Sequence, residues 1–382
     1  MSLNQKLPWM KKSKIFLLCF VSLYCNAWTG GYLKDYTTEP VFSSDKMETV
    51  ADLNYPPGNI AVSSKGRVFI TFHPEGNPEI KVAELSEGKA VPFPDREFQS
   101  KRKDAPFFDT VLSLRIDSKD RLWTLDFGGF GFGKPRLLAF DINTGKVVHD
   151  YIFPSEISEL GSMLNDFQVS PDADYIYIAD ASFFRRNYGI IIYDIKNRIS
   201  RKVLVNHESV KPENYIAVVD GMRQTFFGIL ANQPGVDSIA LDKKGQWLYY
   251  SAVTSEKLYR IHTSHLLNAS MPAKELENKV EVFAMKSMSD GLTMDLSENI
   301  YISDMEHGAV NLLSPDKKLK TLLKDPVKIR WPDGFSFGPD GWLYFTCSSL
   351  QYVILKSRNS VQEKSPYQVY RFKPGHKGMP GQ

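Results

Sequence analysis

The sequence predicts an all-β protein: a six-bladed β-propeller with four antiparallel strands in each blade. One unit recurs six times as a short apolar strand, a polar turn and a second strand rich in aromatic residues. The units start at Asn59, Ser113, Asp166, Ser238, Gly291 and Gly334. These starts lie 54, 53, 72, 53 and 43 residues apart, a period typical of propeller blades. Almost no stretch has the periodicity of an amphipathic helix.

The last unit shows the pattern most clearly. Phe335 and Phe337 alternate with Ser336, which is the period of a half-buried strand. Residues 338–341 carry turn chemistry, and the aromatic strand 342–345 follows. Residues 334–338 also match the Gly-x-Ser-x-Gly pattern of a hydrolase nucleophile. That chemistry needs a sharp strand-to-helix turn, so Ser336 is interpreted as ordinary alternation.

The chain divides into a leader, one propeller domain and a tail. We expect a secretory signal peptide over residues 1–27, a single propeller domain over 28–374 and a disordered, Gly-rich tail over 375–382. In the fifth blade the strands are expected at 291–295, 299–304, 308–314 and 319–324. The segment 41–53 is expected to add an outer strand to the last blade and so close the ring.

The leader accounts for the positive charge of the chain. It has four lysines, no acidic residue and an apolar run too short to span a bilayer. The full chain has 47 Lys and Arg against 44 Asp and Glu, so cleavage leaves a net charge of −1. This balance gives no support for a nucleic-acid partner. Cys347 alone remains after cleavage, which precludes an internal disulfide. We expect a secreted (periplasmic or extracellular) monomer without a stable membrane anchor.

Equivalent positions on the inner strands of a propeller converge on one channel. The residue before each unit is Gly58, Leu112, Asn165, Asp237, Asp290 or Asp333, and Asp166 lies beside Asn165. Carboxylates this close repel one another unless a cation neutralises them. Oxygen donors without sulfur or histidine suit Ca²⁺ or another divalent cation. Asn165, Asp237, Asp290 and Asp333 are therefore candidate metal ligands. The alternative is that each aspartate only accepts hydrogen bonds from its own backbone turn.

Two insertions interrupt the regular blades, at residues 127–134 and 206–235. Long loops on a rigid scaffold often carry binding sites, although a surface flap without a ligand is the alternative. The first insertion contains Phe127, Phe130 and Phe132, whose rings could stack on a flat amine or catechol.

Several segments together resemble the Yellow / major royal jelly protein family. They are Arg121–Asp126, Asn165–Val169, Tyr175–Asp180, Gly189–Asp194, Trp247–Tyr250 and Lys257–Ile261. The resemblance implies a secreted six-bladed propeller, here of a bacterial type. Members of that family include proteins linked to dopachrome conversion and binders of small amines at the channel mouth.

A more distant resemblance is to the gluconolactonase / senescence-marker propellers. There a Glu, an Asn and the Asp of a Pro-Asp-Gly motif hold a divalent metal. Pro332-Asp333-Gly334 matches that motif and Asn165 could match the Asn, but the first unit has no Glu.

Two functions therefore stay open. The first is a small-ligand binder at the channel mouth, with or without isomerase activity. The second is a metal-dependent lactonase-type hydrolase with Asp237 or Asp290 as general base.

Overall fold

The computed structural model describes residues 33–182 and 184–382. It shows six four-stranded antiparallel sheets, which confirms the predicted six-bladed propeller. The leader predicted over residues 1–27 lies outside the described residues. Among the described residues, no helix is long and apolar enough to cross a bilayer.

The first strand, β1 (Glu48–Leu53), belongs to the last blade, so the blades proper start with β2. Blade 1 has β2 (Pro57–Val62), β3 (Val68–Phe72), β4 (Val82–Ser86) and β5 (Lys89–Pro92). Blade 2 has β6 (Val111–Ile116), β7 (Arg121–Asp126), β8 (Arg136–Asp141) and β9 (Val147–Ile152). Blade 3 has β10 (Leu164–Val169), β11 (Tyr175–Asp180), β12 (Gly189–Asp194) and β13 (Ile199–Val203).

Two small hairpins lie between blades 3 and 4. They pair β14 (Val218–Val219) with β15 (Met222–Arg223), and β16 (Thr225–Phe226) with β17 (Leu230–Ala231). Blade 4 has β18 (Val236–Leu241), β19 (Trp247–Ala252), β20 (Lys257–His262) and β21 (Glu281–Met285). Blade 5 has β22 (Ser289–Met294), β23 (Ile300–Asp304), β24 (Ala309–Leu313) and β25 (Leu319–Lys324). Blade 6 has β26 (Pro332–Phe337), β27 (Leu343–Cys347), β28 (Tyr367–Phe372) and β1.

Helical segments are short and lie in the connections. The α-helical ones are Gly128–Gly131, Thr263–Leu267, Ala273–Glu277 and Arg358–Glu363. The 3₁₀ ones are Ser44–Lys46, Pro74–Gly76, Glu97–Gln99, Glu208–Val210, Pro339–Gly341 and Leu350–Tyr352. In Gly128–Gly131, Gly129 and Phe130 have φ of 56° and 60°, so this segment is a tight left-handed turn rather than a regular helix.

The N-terminal segment joins the ring at two places. Strand β1 pairs antiparallel with β28, from Glu48 opposite Arg371 to Leu53 opposite Tyr367. Upstream, the backbone N–H groups of Val41 and Phe42 donate to the carbonyl groups of Thr321 and Leu322 in blade 5. The last blade is thus built from both ends of the domain.

The tail for which the sequence predicts disorder is hydrogen-bonded in the structure, and that expectation is corrected. Gly378 and Pro380 form bridges with Asp295 and Phe337 at the ends of inner strands. The N–H of Ile116 donates to the carbonyl of Gly381 at 3.1 Å. A Cβ on Gly378 would lie 2.0 Å from the Phe337 ring. Glycine, which seemed to indicate flexibility, is instead what allows this close approach.

Aromatic side chains fill the space between neighbouring blades. Between blades 1 and 2, Phe69, Phe93 and Phe140 are buried, and Phe93 stands edge-on to the other two rings at centroid distances of 5.0 and 5.8 Å. Edge-to-face pairs of this kind add to the stabilisation that comes from burial alone. Phe69 of the aromatic second strand in blade 1 therefore contributes to packing between blades 1 and 2.

Candidate functional site

The six inner strands share an irregularity at the same end of the channel. In β2, β6, β10, β18, β22 and β26, the register with the second strand shifts within the first four residues. Such bulges re-aim side chains, so two consecutive residues can both turn towards the channel. We define the mouth as the end of the channel where these bulges lie.

Hydroxyl groups from the second strands satisfy backbone groups that the bulges release. Thr71 Oγ1 accepts from the N–H of Asn59 and donates to the carbonyl of Leu112 in the next blade at 2.6 Å. Thr346 Oγ1 likewise accepts from the N–H of Gly334 and donates to the carbonyl of Gly58 at 2.6 Å. These bonds join blade 1 to blade 2 and blade 6 to blade 1 at the mouth.

Four carboxylates from four inner strands converge at the mouth. Asp166 and Asp237 are buried, with exposed fractions of 3% and 4%, whereas Asp290 and Asp333 are half-buried. The side-chain amide of Asn165 donates to Asp237, and the indole Nε1–H of Trp331 donates to Asp290 Oδ2 at 2.6 Å. Asp237 and Asp290 thus accept hydrogen bonds from side chains. The alternative interpretation, in which each aspartate accepts only from its own backbone turn, does not describe these two.

The aspartates at the ends of the second strands behave differently. Asp126 accepts from the backbone N–H groups of Asp109, Thr110 and Gly128. Asp180 accepts from the N–H groups of Met163 and Ser182. These carboxylates cap loops, which is the ordinary structural use of Asp. The loop aspartates therefore accept from backbone N–H groups, whereas Asp237 and Asp290 in the channel accept from side chains.

Burial and mutual repulsion both raise the pKa values of the channel carboxylates. Burial raises the pKa of Asp290 to about 6, and the charge of Asp166 acts in the same direction. The pKa values of Asp237 and Asp333 are raised well above the usual range by burial and by the negative charges of Asp290 and Asp166. A buried carboxylate surrounded by like charges favours the protonated form, so the mouth strongly favours a positive occupant.

A polar network with one positive charge lies beside this cluster. Asp166 Oδ1 accepts from Asn59 Nδ2 at 2.6 Å and from Ser113 Oγ at 2.5 Å. The Arg115 guanidinium is 1% exposed and donates to Asn59 Oδ1 and to the carbonyl of Leu114. One cation against four carboxylates leaves the group anionic when all are ionised.

Sequence reasoning missed Arg115 and Trp331. Arg115 had a usable signal: it occupies an inner-strand position where the other blades carry Ala61, Gln168, Ala240, Thr293 and Ser336. A charged side chain on an inner strand, at a position where the other blades carry neutral residues, indicates a role in the channel. Trp331 had no such signal, because its backbone adopts a left-handed φ of 52° that the sequence pattern does not predict.

The predicted metal ligands share the mouth, but they are not arranged as a metal centre. Among residues 33–182 and 184–382, no group of three or more His, Cys, Asp or Glu side chains is placed to hold a metal ion. Asn165 uses its amide to bond Asp237, and Trp331 takes up one oxygen of Asp290. The donor atoms have the right chemistry for Ca²⁺, but their arrangement does not fit it.

The phenylalanines of the first insertion differ in accessibility. Phe127 is 4% exposed and packs in the core between blades 2 and 3. Phe130 is half-buried against Phe127 and Phe184, at centroid distances of 5.1 and 4.8 Å. Phe132 is 64% exposed. The loop starts at the mouth end of β7, but of the three rings Phe132 alone is largely exposed to a ligand from solvent.

The second insertion, residues 206–235, packs on the mouth as a cap. Tyr215 Oη and the N–H of Val218 both donate to Glu306 Oε1 at 2.7 Å, and Tyr352 donates to Asp220. Buried Tyr215, Ala217 and Val219 belong to the same apolar cluster as Trp331. The cap thus contacts the loops of blades 5 and 6 and lies close to the indole that bonds Asp290.

By its fold and its site, this protein is a six-bladed propeller with carboxylates at one end of its channel. The profile of the family described as "Major royal jelly protein" matches residues 110–372, from the start of blade 2 to the end of β28. The chain belongs to this family.

Relatives from the honeybee Apis mellifera support the assignment. Major royal jelly protein 7 is 28% identical over 201 residues, which cover 50% of this chain and 42% of the bee protein. Major royal jelly protein 6 is 25% identical over 251 residues, which cover 62% of this chain and 54% of the bee protein. The match thus spans about half the length of these relatives.

Solved structures share the architecture at lower identity. A regucalcin from Agrobacterium tumefaciens, described as a calcium-binding protein, superposes with a TM-score of 0.55 at 15% identity. The match covers 90% of this chain and 98% of the regucalcin. A gluconolactonase from Xanthomonas campestris has a TM-score of 0.54 at 11% identity, with 86% and 88% covered. At these identities the likeness shows the fold alone.

Proposed function

We propose that this protein binds a small organic cation, the ammonium group of an amine, at the carboxylates of the channel mouth. The observation that carries the proposal is the convergence of Asp166, Asp237, Asp290 and Asp333, all buried or half-buried. Several like charges held out of water are unstable by themselves, and a bound cation removes their repulsion. The N-terminal leader sequence supports a secreted protein as the setting for this binding.

An ammonium group suits this mouth better than a divalent metal. Its three N–H donors bond carboxylates over about 2.7–2.9 Å, without the closed coordination shell that Ca²⁺ requires. The described residues present carboxylates on separate strands rather than a metal-holding group. The similarity to a calcium-binding propeller still makes Ca²⁺ the competitor to be tested.

A nearby aromatic group supports an organic ligand. The buried indole of Trp331 lies beside Asp290 and donates to its Oδ2. Aromatic faces next to a carboxylate favour a cation that carries apolar groups. The lactonase alternative depended on a metal group that the described residues do not form, so no hydrolytic role is proposed for Asp237 or Asp290.

Calorimetric titration tests the proposal. We expect the wild-type protein to bind ethylamine at pH 7.5, and Asp333→Asn to weaken this binding by at least about 30-fold, because a charge partner in a desolvated site is lost. Asp316→Asn is the matched control, since Asp316 lies in an exposed turn and pairs with Lys318. Calcium chloride is titrated in parallel.

Two results would contradict the proposal. One is that Asp333→Asn binds ethylamine as the wild type does, which would place any amine site elsewhere. The other is that the wild type binds Ca²⁺ but no amine, which would assign the mouth to a metal after rearrangement of its side chains.

A further inference from the structure

Two buried polar atoms beside the carboxylate cluster lack a hydrogen-bond partner among the described residues. They are Arg115 Nε, a donor, and Asp166 Oδ2, an acceptor. Arg115 is 1% exposed and Asp166 is 3% exposed, so both side chains are shielded from bulk solvent. Buried polar atoms are nearly always paired in folded proteins, and each exception needs an explanation.

The two side chains are near each other but do not bond directly. Arg115 Nη2 lies 4.0 Å from Asp166 Oδ2, which is too far for a hydrogen bond. Nη2 belongs to the same guanidinium as the unpartnered Nε, so one small polar group bound to Asp166 Oδ2 can also reach this guanidinium. The other oxygen of Asp166 is already held by Asn59 and Ser113, and these bonds fix the direction of the free oxygen.

From this pair we infer a second, deeper subsite in which Arg115 and Asp166 hold one neutral hydroxyl group of the ligand. The inference rests on the proposed amine site and extends it: the ligands would be amines with a hydroxyl a short distance from the ammonium group. The short distance follows because Asp166 is itself one of the four channel carboxylates and its Oδ2 lies 4.0 Å from Arg115 Nη2, so the subsite adjoins the carboxylates.

The chemistry of the pair selects a hydroxyl over other groups. A hydroxyl donates to the carboxylate and accepts from the guanidinium, so it satisfies both atoms at once. A ligand carboxylate would face the repulsion of four aspartates, and a second ammonium would face Arg115. A methyl group would leave both polar atoms unpaired, which is costly for charged groups.

Matched amines test this inference on the full-length protein. Ethanolamine and propylamine differ by a hydroxyl in place of a methyl, and 3-aminopropanol and butylamine repeat the comparison one carbon longer. We expect the hydroxyl compound of at least one pair to bind about tenfold or more tightly to the wild type. Arg115→Met should remove this preference while ethylamine still binds.

Controls separate the subsite from the amine site and from folding. Arg121→Met alters another arginine of blade 2 that pairs with an aspartate at 2.7 Å, and it should keep the preference. If Arg115→Met does not fold, Asp166→Asn provides the second variant and should reduce the preference. Equal binding within both pairs overturns the subsite and leaves the amine site standing, with an ordered water as the occupant of the gap. No binding of any amine overturns both.

Discussion

The channel carboxylates should make the cation-free protein more stable at pH 5 than at pH 7.5, and Asp333→Asn should make this difference smaller. The pKa of Asp290 is about 6 in the folded protein, against about 3.9 for an unfolded aspartate. A carboxyl group whose pKa is higher in the folded than in the unfolded protein stabilises the folded state, and this stabilisation is complete at pH values below the unfolded pKa. It is lost as the pH rises through the folded pKa of about 6. Asp237 and Asp333 are shifted in the same direction.

The size of this effect is measurable. At pH 7.5, replacing one of the repelling carboxylates should raise the free energy of unfolding by about 1–3 kcal/mol. Chemical denaturation of the wild type, Asp333→Asn and Asp316→Asn between pH 5 and pH 8 gives the comparison. Because other groups also titrate, the difference between variants is the quantity that counts. Parallel pH profiles for the wild type and Asp333→Asn would contradict the account.

Replacing Gly291 with alanine should strongly destabilise the mouth of the channel. A Cβ there would lie 2.0 Å from the backbone carbonyl oxygen of Asp333, on the inner strand of the next blade. Backbone cannot swing aside like a flexible side chain, so blades 5 and 6 must separate. We expect a loss of about 3 kcal/mol in the free energy of unfolding, together with weaker amine binding.

Gly129→Ala is the control for this prediction. Nothing lies within 4 Å of a Cβ at Gly129, although its φ of 56° makes alanine mildly strained. That change should cost about 1 kcal/mol. Urea unfolding of both variants measures the two values. Similar losses would show that the approach of blades 5 and 6 does not depend on the missing side chain.

Repeat periodicity was sufficient to predict the fold. The strand–turn–strand unit determined the number of blades and the position of each inner strand, because alternation of apolar residues has a direct physical cause in the pleat. In blade 5 the predicted strand 319–324 matches β25, and the others differ by at most two residues at either end. The tail was misjudged because composition does not reveal which glycines make close contacts.

The candidate site was predicted less completely. Equivalent positions in the repeat identified Asp237, Asp290 and Asp333, since a propeller brings such positions to one axis. The bulges that turn both Asn165 and Asp166 inward depend on long-range pairing, which a local pattern does not contain. The phenylalanines of the first insertion were chosen by composition, and the structure buries Phe127 in the core.

The affinity for ethylamine as a function of pH tests the central claim most directly. An alkylamine stays protonated throughout the range, as lysine does with its pKa of about 10.4, so any change comes from the protein. We predict that the dissociation constant rises at least about tenfold between pH 7.5 and pH 5, as Asp290 and its neighbours take up protons. An unchanged dissociation constant across this range would contradict binding of the cation by the channel carboxylates.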